Sequence, residues 1–152
     1  MRVRALLEAK PAPIVIAKPS TGVDEAMELL ISNNIGCLPV VDDSGQLAGI
    51  VSDKDILKKI HEAKGDYHAL SMKDVMTTEV IVGVPDDDIE YIAGIMDKNW
   101  IRHIPIMDGE DLIGVVSLRD VNKTLVKATK SENRYLNMYM DSLHRRDRSG
   151  DH

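Results

Sequence analysis

Residues 49–55 read Gly-Ile-Val-Ser-Asp-Lys-Asp, and residues 114–120 repeat the pattern as Gly-Val-Val-Ser-Leu-Arg-Asp. In both stretches a glycine and two β-branched residues precede Ser-x-x-Asp. β-branched residues favour a strand, and a serine with an acidic residue three positions later is typical of a helix start. Each stretch therefore predicts a strand that runs directly into a helix, and the repetition predicts two such junctions.

The similarity extends from these stretches across most of the chain. Residues 14–42 align with residues 80–108, and a one-residue deletion in the following turn brings residues 47–55 onto residues 112–120. An internal repeat of this kind indicates one structural unit that occurs twice. The ten identical pairs are Pro19 and Pro85, Asn33 and Asn99, Ile35 and Ile101, Pro39 and Pro105, Asp42 and Asp108, Leu47 and Leu112, Gly49 and Gly114, Val51 and Val116, Ser52 and Ser117, and Asp55 and Asp120.

Each copy has the same order of predicted elements. A short β-branched strand (14–16 or 80–82) precedes an amphipathic helix (23–33 or 89–99), in which apolar residues recur at helical spacing. Two strands joined by a polar turn that contains glycine come next and predict a hairpin. A second helix starts at the serine of the repeated stretch. The predicted order is therefore β-α-β-β-α in each unit.

The predicted fold class is α/β, in the α+β sense, with two units packed sheet to sheet about a pseudo-twofold axis. A unit of about 60 residues buries a small fraction of its surface alone, so two similar units gain stability by sharing a core. We place the first unit at residues 1–66 and the second at residues 71–130, joined by a polar connector at 63–68. Residues 131–152 form a C-terminal helix and tail.

The C-terminal tail has an apolar face, formed by Tyr135, Leu136, Met138, Tyr139 and Leu143. Two interpretations are open, because this helix can fold back over the repeats as a cap or form a dimer contact. The basic run at 144–148 is short, contains an acidic residue and is typical of a solvated helix end.

Composition excludes several classes of function. The net charge is −6 and the isoelectric point is about 5.3, so the chain is a poor candidate for binding nucleic-acid phosphates. An aromatic content of 3% also argues against a single-strand binder that stacks bases on aromatic side chains. The single cysteine permits no internal disulfide. No apolar run approaches the ~20 residues of a membrane span, and no secretory signal begins the sequence. A cytoplasmic protein without nucleic-acid or membrane partners is expected.

The Ser-x-x-Asp stretches have two interpretations. Ser and Asp can simply cap the following helix. Alternatively, the helix N-terminus attracts phosphate, and the carboxylates of Asp55 and Asp120 accept hydrogen bonds from a cis-diol such as that of ribose. Lys54 and Arg119, which precede these aspartates, can then supply countercharge.

A second candidate element is Ile-Gly-Cys-Leu-Pro at residues 35–39, which corresponds to Ile-Arg-His-Ile-Pro at residues 101–105. A proline near a strand start is typical of a sheet edge, where unpaired backbone groups can contact a purine. Arg102 and His103 add one permanent and one titratable cation beside the expected cleft. The alternative is a surface arginine and a partly packed histidine.

These doubled motifs resemble a tandem pair of cystathionine beta-synthase (CBS) domains. The resemblance covers about residues 1–130, and Asp-Val-Met-Thr at residues 74–77 is similar to the usual start of the second domain. We expect no other attached domain, because the chain resembles the small stand-alone CBS proteins of bacteria. The resemblance implies a regulatory module that binds AMP, ADP or ATP, or in some members S-adenosylmethionine or NADH, between the repeats. It also implies a homodimer and a regulated partner that the sequence does not identify.

The resemblance also implies which residues contact the ligand. The two aspartates match the ribose-binding position, the two serines lie near ribose or phosphate, and Arg102 and His103 match phosphate-binding cations. The first repeat has Gly36 and Cys37 in place of those cations, so the two sites are not expected to be equal. The complete candidate set is Lys10, Val15, Ile35, Gly36, Cys37, Ser52, Lys54, Asp55, Thr77, Ile81, Ile101, Arg102, His103, Ser117, Arg119 and Asp120.

Two other classes of function compete with the sensor. An enzyme would need a nucleophile, but Cys37 lies in an apolar strand and is interpreted as core, and neither Ser-x-x-Asp stretch has a histidine nearby in sequence. A structural dimerisation module without a ligand would not need both serines and both aspartates. We therefore expect no catalytic residue, no metal site and no cofactor other than the bound nucleotide.

Overall fold

The computed structural model describes the backbone of residues 1–150 and the side chains of residues 1–144. Most of the basic run at 144–148 therefore lies outside the described side chains, and residues 151 and 152 lie outside the described chain. The elements are α1 (Val3–Ala9), α2 (Val23–Ser32), β1 (Cys37–Val41), β2 (Leu47–Ser52), α3 (Asp53–Glu62), α4 (Met72–Val75), α5 (Ile89–Asn99), β3 (His103–Asp108), β4 (Asp111–Ser117) and α6 (Leu118–Gly150).

Two antiparallel hairpins, β1–β2 and β3–β4, confirm the predicted α+β class and the repeat. Their registers are equivalent, since β1 begins with Cys37 opposite Ser52, and β3 begins with His103 opposite Ser117. The register of each hairpin also shifts at the same place, after Val40 in the first and after Ile106 in the second. Equivalent irregularities in both hairpins indicate that the same structural unit occurs twice in the chain.

The predicted opening strands at 14–16 and 80–82 are wrong, because neither segment forms a strand and only the residue after each, Ala17 or Gly83, forms a single bridge. The amide of Ala17 donates to the carbonyl of Pro39 (2.9 Å), and the carbonyl of Ala17 accepts from the amide of Val41 (2.9 Å). The next bond toward the N-terminus would need an amide on Pro39, which proline lacks. Gly83 forms the same bridge beside Pro105, for the same reason.

Each unit has its own hydrophobic core, so the expectation of one shared core is wrong. A short helix from the other half of the sequence packs into each core. Val3 of α1 is fully buried in the second core with Ile89 and Ile104, whereas Met72 of α4 is fully buried in the first core with Leu38. Fully burying a side chain of this size contributes about 1.5–3 kcal/mol. Each unit is therefore completed by a helix that lies next to the other unit in sequence, and the partition at residues 1–66 and 71–130 describes the repeat rather than the packing.

The C-terminal helix is not a separate element that starts at residue 131. It is the continuation of α6, whose 33 residues have a length of about 50 Å. All side chains described from Val126 to His144 are exposed, and Tyr135 is 71% exposed. The helix extends away from the repeats, so the fold-back cap is wrong. Within residues 1–150, no helix combines the length and the hydropathy that a membrane span needs.

Candidate functional site

A cleft of about 1000 Å³ lies between the two units and receives residues from both. Its walls are formed by the end of α1 with the segment 10–15, the segment 34–37 at the start of β1, the strand β4 and the first turns of α6. Nine of the sixteen candidate residues line this cleft. They are Lys10, Val15, Ile35, Gly36, Cys37, His103, Ser117, Arg119 and Asp120.

The start of α6 places Asp120 at the cleft, where one of its two carboxylate oxygens is available to accept hydrogen bonds. The hydroxyl of Ser117 donates to Oδ2 of Asp120 at 2.9 Å, and the amide of Asp120 donates back to that hydroxyl at 3.2 Å. Among the described residues, Oδ1 of Asp120 makes no hydrogen bond. An ionised carboxylate can accept about four hydrogen bonds, so this side chain can still bind donors from a ligand.

The start of α3 uses the equivalent residues differently. The amide of Ser52 donates to Oδ2 of Asp55 at 2.9 Å, and the amide of Asp55 donates to the hydroxyl of Ser52 at 3.1 Å, which completes a capping box. Asp55 therefore caps the N-terminus of α3. Asp55, Ser52 and Lys54 all lie outside the cleft. The capping interpretation describes α3, whereas the cap at α6 is incomplete.

The mirror position of the cleft is closed by backbone pairing. Thr77 and Ile50 exchange two hydrogen bonds, of 2.9 and 3.0 Å. A Cβ atom on Gly49 would lie 2.7 Å from the carbonyl oxygen of Thr77, so the two segments are in direct contact. Thr77, Ile81 and Ile101 therefore lie outside the open cleft.

Pro11 at the open cleft occupies the position that Thr77 occupies at the closed one. Under the repeat alignment Pro11 corresponds to Thr77, and Pro13 follows two residues later. Proline has no amide hydrogen to donate to the edge of β4, so this segment cannot pair with Val115 as Thr77 pairs with Ile50. Both prolines and Val115 line the cleft instead.

His103 lies in the cleft and packs closely against Gly36. A Cβ atom at residue 36 would be 2.9 Å from Cε1 and 3.1 Å from Nε2 of this histidine, so the contact requires glycine. Burial, and then the positive charge of Arg102, lower the pKa of His103 below its usual 6.5. The imidazole is therefore neutral at pH 7 in the unliganded protein, and it becomes the titratable cation expected from the sequence on acidification.

Cys37 lies at the start of β1 and is 5% exposed. Burial, and then the neighbouring carboxylate of Asp53, raise the pKa of its thiol to about 12. A thiol in this state is not a nucleophile at neutral pH. The cysteine is part of the cleft wall.

Arg102 does not line this cleft. Its Nη2 atom donates to Oδ1 of Asp53 at 3.5 Å, across the boundary between the two units. The arginine instead lines a neighbouring groove of about 790 Å³ beside the first turns of α6.

Sequence reasoning missed several residues of the cleft. Lys123 follows Arg119 by four positions, so helical spacing could have found it. Leu7 comes from α1, and its side chain packs against Gly114, where an added Cβ atom would lie 2.8 Å away. No sequence pattern connects α1 with β4, because the contact joins distant parts of the chain. Among the residues that the structure describes, no cluster of His, Cys, Asp or Glu is suited to a metal ion.

Comparison with known proteins agrees with this architecture. The sequence profile of the CBS domain matches residues 8–62 and residues 72–127. The chain belongs to the CBS domain family. The CBS domain-containing protein YhcV of Bacillus subtilis is 32% identical over 108 residues, which cover 71% of this chain and 76% of YhcV. Several other curated relatives are longer, and the chain spans less than half of their length.

Two solved CBS structures contain adenosine compounds. The CBS pair of protein MJ0100, in complex with 5′-methylthioadenosine and S-adenosyl-L-methionine, has a TM-score of 0.75 and 28% identity, and the match covers 84% of this chain and 98% of that one. CBSX2 in complex with AMP has a TM-score of 0.69 and 27% identity, with the same coverage. Both structures are matched almost completely, whereas part of this CBS protein has no counterpart in them.

Proposed function

We propose that this CBS pair is a regulatory sensor that binds an adenine nucleotide (AMP, ADP or ATP) in the cleft beside Asp120. The observation that carries the proposal is the position of Asp120 at the wall of a cleft between the units, where Oδ1 of its carboxylate has no hydrogen-bond partner among the described residues. The adenosine compounds bound by the CBS pairs of MJ0100 and CBSX2 support this choice of ligand class.

The walls of the cleft match the three parts of a nucleotide. Apolar side chains from both units, including Val15, Ile35 and Ile113, suit the faces of an adenine ring. The free oxygen of Asp120 suits the ribose hydroxyls, because hydrogen bonds to a charged acceptor are the stronger kind. Arg119 lies one residue away and suits the α-phosphate. The ligand then contacts both units at once.

This arrangement gives one open site in each chain. A ligand in the mirror position would have to break the two backbone hydrogen bonds between Thr77 and Ile50. Asp55, which holds the amide of Ser52 through Oδ2, lies outside the open cleft. We therefore propose that Ser52, Lys54, Asp55, Thr77, Ile81 and Ile101 do not bind nucleotide in the unrearranged protein.

The site also explains how binding can be transmitted. Leu7 of α1 lines the cleft, and α1 completes the core of the second unit through Val3. A ligand that moves Leu7 therefore acts on the element that joins the two units. The readout is a change in their relative position or in affinity for a regulated partner.

A homodimer is part of this proposal. Four large apolar side chains are exposed on helices or helix ends of both units, namely Ile31, Leu57, Tyr91 and Trp100. Trp100 is 95% exposed and has a left-handed backbone (φ 56°), a conformation that is uncommon for a bulky residue. An exposed aromatic of this kind is typical of an interface anchor. We propose a cytoplasmic location for the dimer.

The alternative ligands are S-adenosylmethionine and NADH. S-adenosylmethionine is favoured by the MJ0100 complex, but its sulfonium cation would lie among Lys10, Arg119 and Lys123. A role in catalysis would need a reactive group, and the raised pKa of Cys37 removes the one thiol of the sequence from consideration. A ligand-free dimerisation module is the remaining alternative.

Calorimetric titration separates these functions. The wild-type protein is titrated with adenosine, AMP, ADP, ATP, NADH and S-adenosylmethionine. We expect saturable binding of the adenine nucleotides with about one site per chain. Exclusive binding of S-adenosylmethionine or NADH would replace the proposed ligand, and no binding by any of the six would favour the dimerisation module.

A further inference from the structure

The groove beside α6 is continuous with the cleft. The two spaces share four lining residues, which are His103, Ser117, Arg119 and Lys123. Beyond them the groove extends along the first three turns of the helix to residues that the cleft does not reach. These are Arg102, Leu118, Asn122, Val126 and Lys127.

The groove is positively charged, whereas the protein as a whole is negatively charged. Arg102, Arg119, Lys123 and Lys127 line it, and none of the described residues that line it carries a carboxylate, although the whole chain has a net charge of −6. Two acids neighbour the groove: Asp53 contacts Nη2 of Arg102 at 3.5 Å, and Asp120 accepts a hydrogen bond from Ser117 at the end that joins the cleft. Because a guanidinium has five N–H donors, the contact with Asp53 leaves Arg102 able to bind a further anion.

Three of these cations form a row that leads away from the nucleoside. Arg119, Lys123 and Lys127 are four residues apart on one face of α6, so each step advances about 6 Å along the helix. The row is about 12 Å long, starts at Arg119 beside Asp120 and ends at Lys127 outside the cleft. A single phosphate at Arg119 does not reach Lys127 at the far end of the row, whereas a chain of phosphates can extend along all three cations.

We propose that this groove binds the terminal phosphates of a nucleoside polyphosphate whose nucleoside occupies the cleft. The inference rests on the proposed function and adds the selectivity of the same site. ATP binds more tightly than ADP, ADP more tightly than AMP, and adenosine compounds without phosphate bind most weakly. Lys123, Lys127 and Arg102 are the residues that make this selection.

The test compares two lysines of the same helix. Lys127→Gln removes a charge from the groove, and Lys130→Gln removes an equal charge three residues further on, outside the groove. Both variants are titrated calorimetrically with AMP, ATP and inorganic triphosphate in buffer that contains EDTA. Because Lys127 and Lys130 are exposed, we expect both variants to fold, and thermal unfolding checks this.

We expect Lys127→Gln to weaken ATP binding by roughly three- to tenfold, the range of one charge-assisted hydrogen bond in a partly solvated site. AMP binding by this variant should be unchanged, and Lys130→Gln should bind both nucleotides as the wild type does. Equal weakening by the two variants would show a general effect of net charge and would overturn the proposal.

The outcomes separate this proposal from the proposed function. If AMP and ATP bind equally to the wild type and Lys127→Gln changes neither, the groove is not a phosphate site although the nucleotide site stands. If no adenine nucleotide binds but inorganic triphosphate binds and is weakened by Lys127→Gln, the groove stands and the nucleotide site fails. If neither nucleotide nor triphosphate binds, both proposals fail.

Discussion

Thr77 and Ile50 exchange two backbone hydrogen bonds, and this pairing closes one of the two equivalent positions between the repeats. Pro11 occupies the place of Thr77 in the other half of the chain and has no amide to donate. A pseudo-symmetric fold therefore contains one open cleft and one closed position. The asymmetry arises from the backbone as much as from the side chains that differ between the repeats.

Restoring an amide at residue 11 should narrow the cleft. In Pro11→Thr the new amide can pair with Val115, and a net hydrogen bond contributes about 0.5–1.5 kcal/mol. A ligand must then break this pairing, so we expect nucleotide affinity to fall by roughly two- to tenfold, as measured by calorimetry, with no loss of thermal stability. Unchanged or tighter binding by a folded Pro11→Thr variant would refute the role assigned to this proline.

The histidine in the cleft should make nucleotide binding depend on pH. The pKa of His103 is lowered in the free protein, so acidification below pH 6.5 adds a proton that an anionic ligand stabilises. We expect affinity for AMP to increase between pH 7.5 and pH 6 more in the wild type than in His103→Gln. The phosphate of AMP titrates in the same way with both proteins, so the difference between their profiles reports on His103. Parallel profiles for the two proteins would show that this imidazole does not face the phosphate.

The lowered pKa of His103 has a different consequence for the unliganded protein, because acidification then reduces its stability. A histidine with a lowered pKa binds its proton more weakly in the folded than in the unfolded state. The contribution of His103 to the free energy of unfolding is therefore present above pH 6.5 and is lost as the pH falls below that value. Chemical denaturation of wild type and His103→Gln at pH 7.5 and pH 5.5 measures this difference.

Two glycines give a matched pair for testing the contact between the units. Gly36→Ala places a methyl group 2.9 Å from Cε1 of His103, so we expect a loss of about 1–3 kcal/mol of stability. In Gly94→Ala the added methyl group in α5 meets no described atom within 4 Å, and we expect a gain of about 0.5–1 kcal/mol in stability. Denaturant titration compares them, and a neutral Gly36→Ala would mean that His103 does not pack as described.

The exchanged helices can be tested through two methionines. Met72 of α4 is fully buried in the first core, whereas Met138 of α6 is 72% exposed. We expect Met72→Ala to cost about 2–5 kcal/mol and Met138→Ala to stay within about 0.5 kcal/mol of the wild type. Equal effects on the free energy of unfolding would contradict the exchange of α4 into the first core.

Local patterns in the sequence predict much of this fold. The repeat, both hairpins, the helices at 23–33 and 89–99 and the strand-to-helix junctions follow from spacing, turn glycines and capping residues. The opening strands fail because the missing amides of Pro39 and Pro105 act on a neighbouring segment. The continuity of α6 has a sequence signal, since neither proline nor glycine occurs between Gly114 and Gly150.

The candidate site is less accessible to sequence reasoning. Both Ser-x-x-Asp stretches look alike, yet Asp55 completes a capping box and Asp120 does not. The pairing of Arg102 with Asp53 and the packing of Leu7 at the cleft join distant residues. Which half of a pseudo-symmetric pair is open depends on such contacts, and no local pattern specifies them.

Calorimetric titration of Asp120→Asn tests whether the carboxylate of Asp120, whose Oδ1 is open to a ligand, holds the nucleotide. This variant keeps the shape of the side chain and removes the charge that makes the stronger hydrogen bonds, so we expect affinity for the adenine nucleotide to fall by roughly tenfold. Asp55→Asn is the matched control and should lower thermal stability while leaving affinity unchanged. Unchanged affinity in Asp120→Asn, with the nucleotide still bound, would show that Asp120 does not hold the nucleotide.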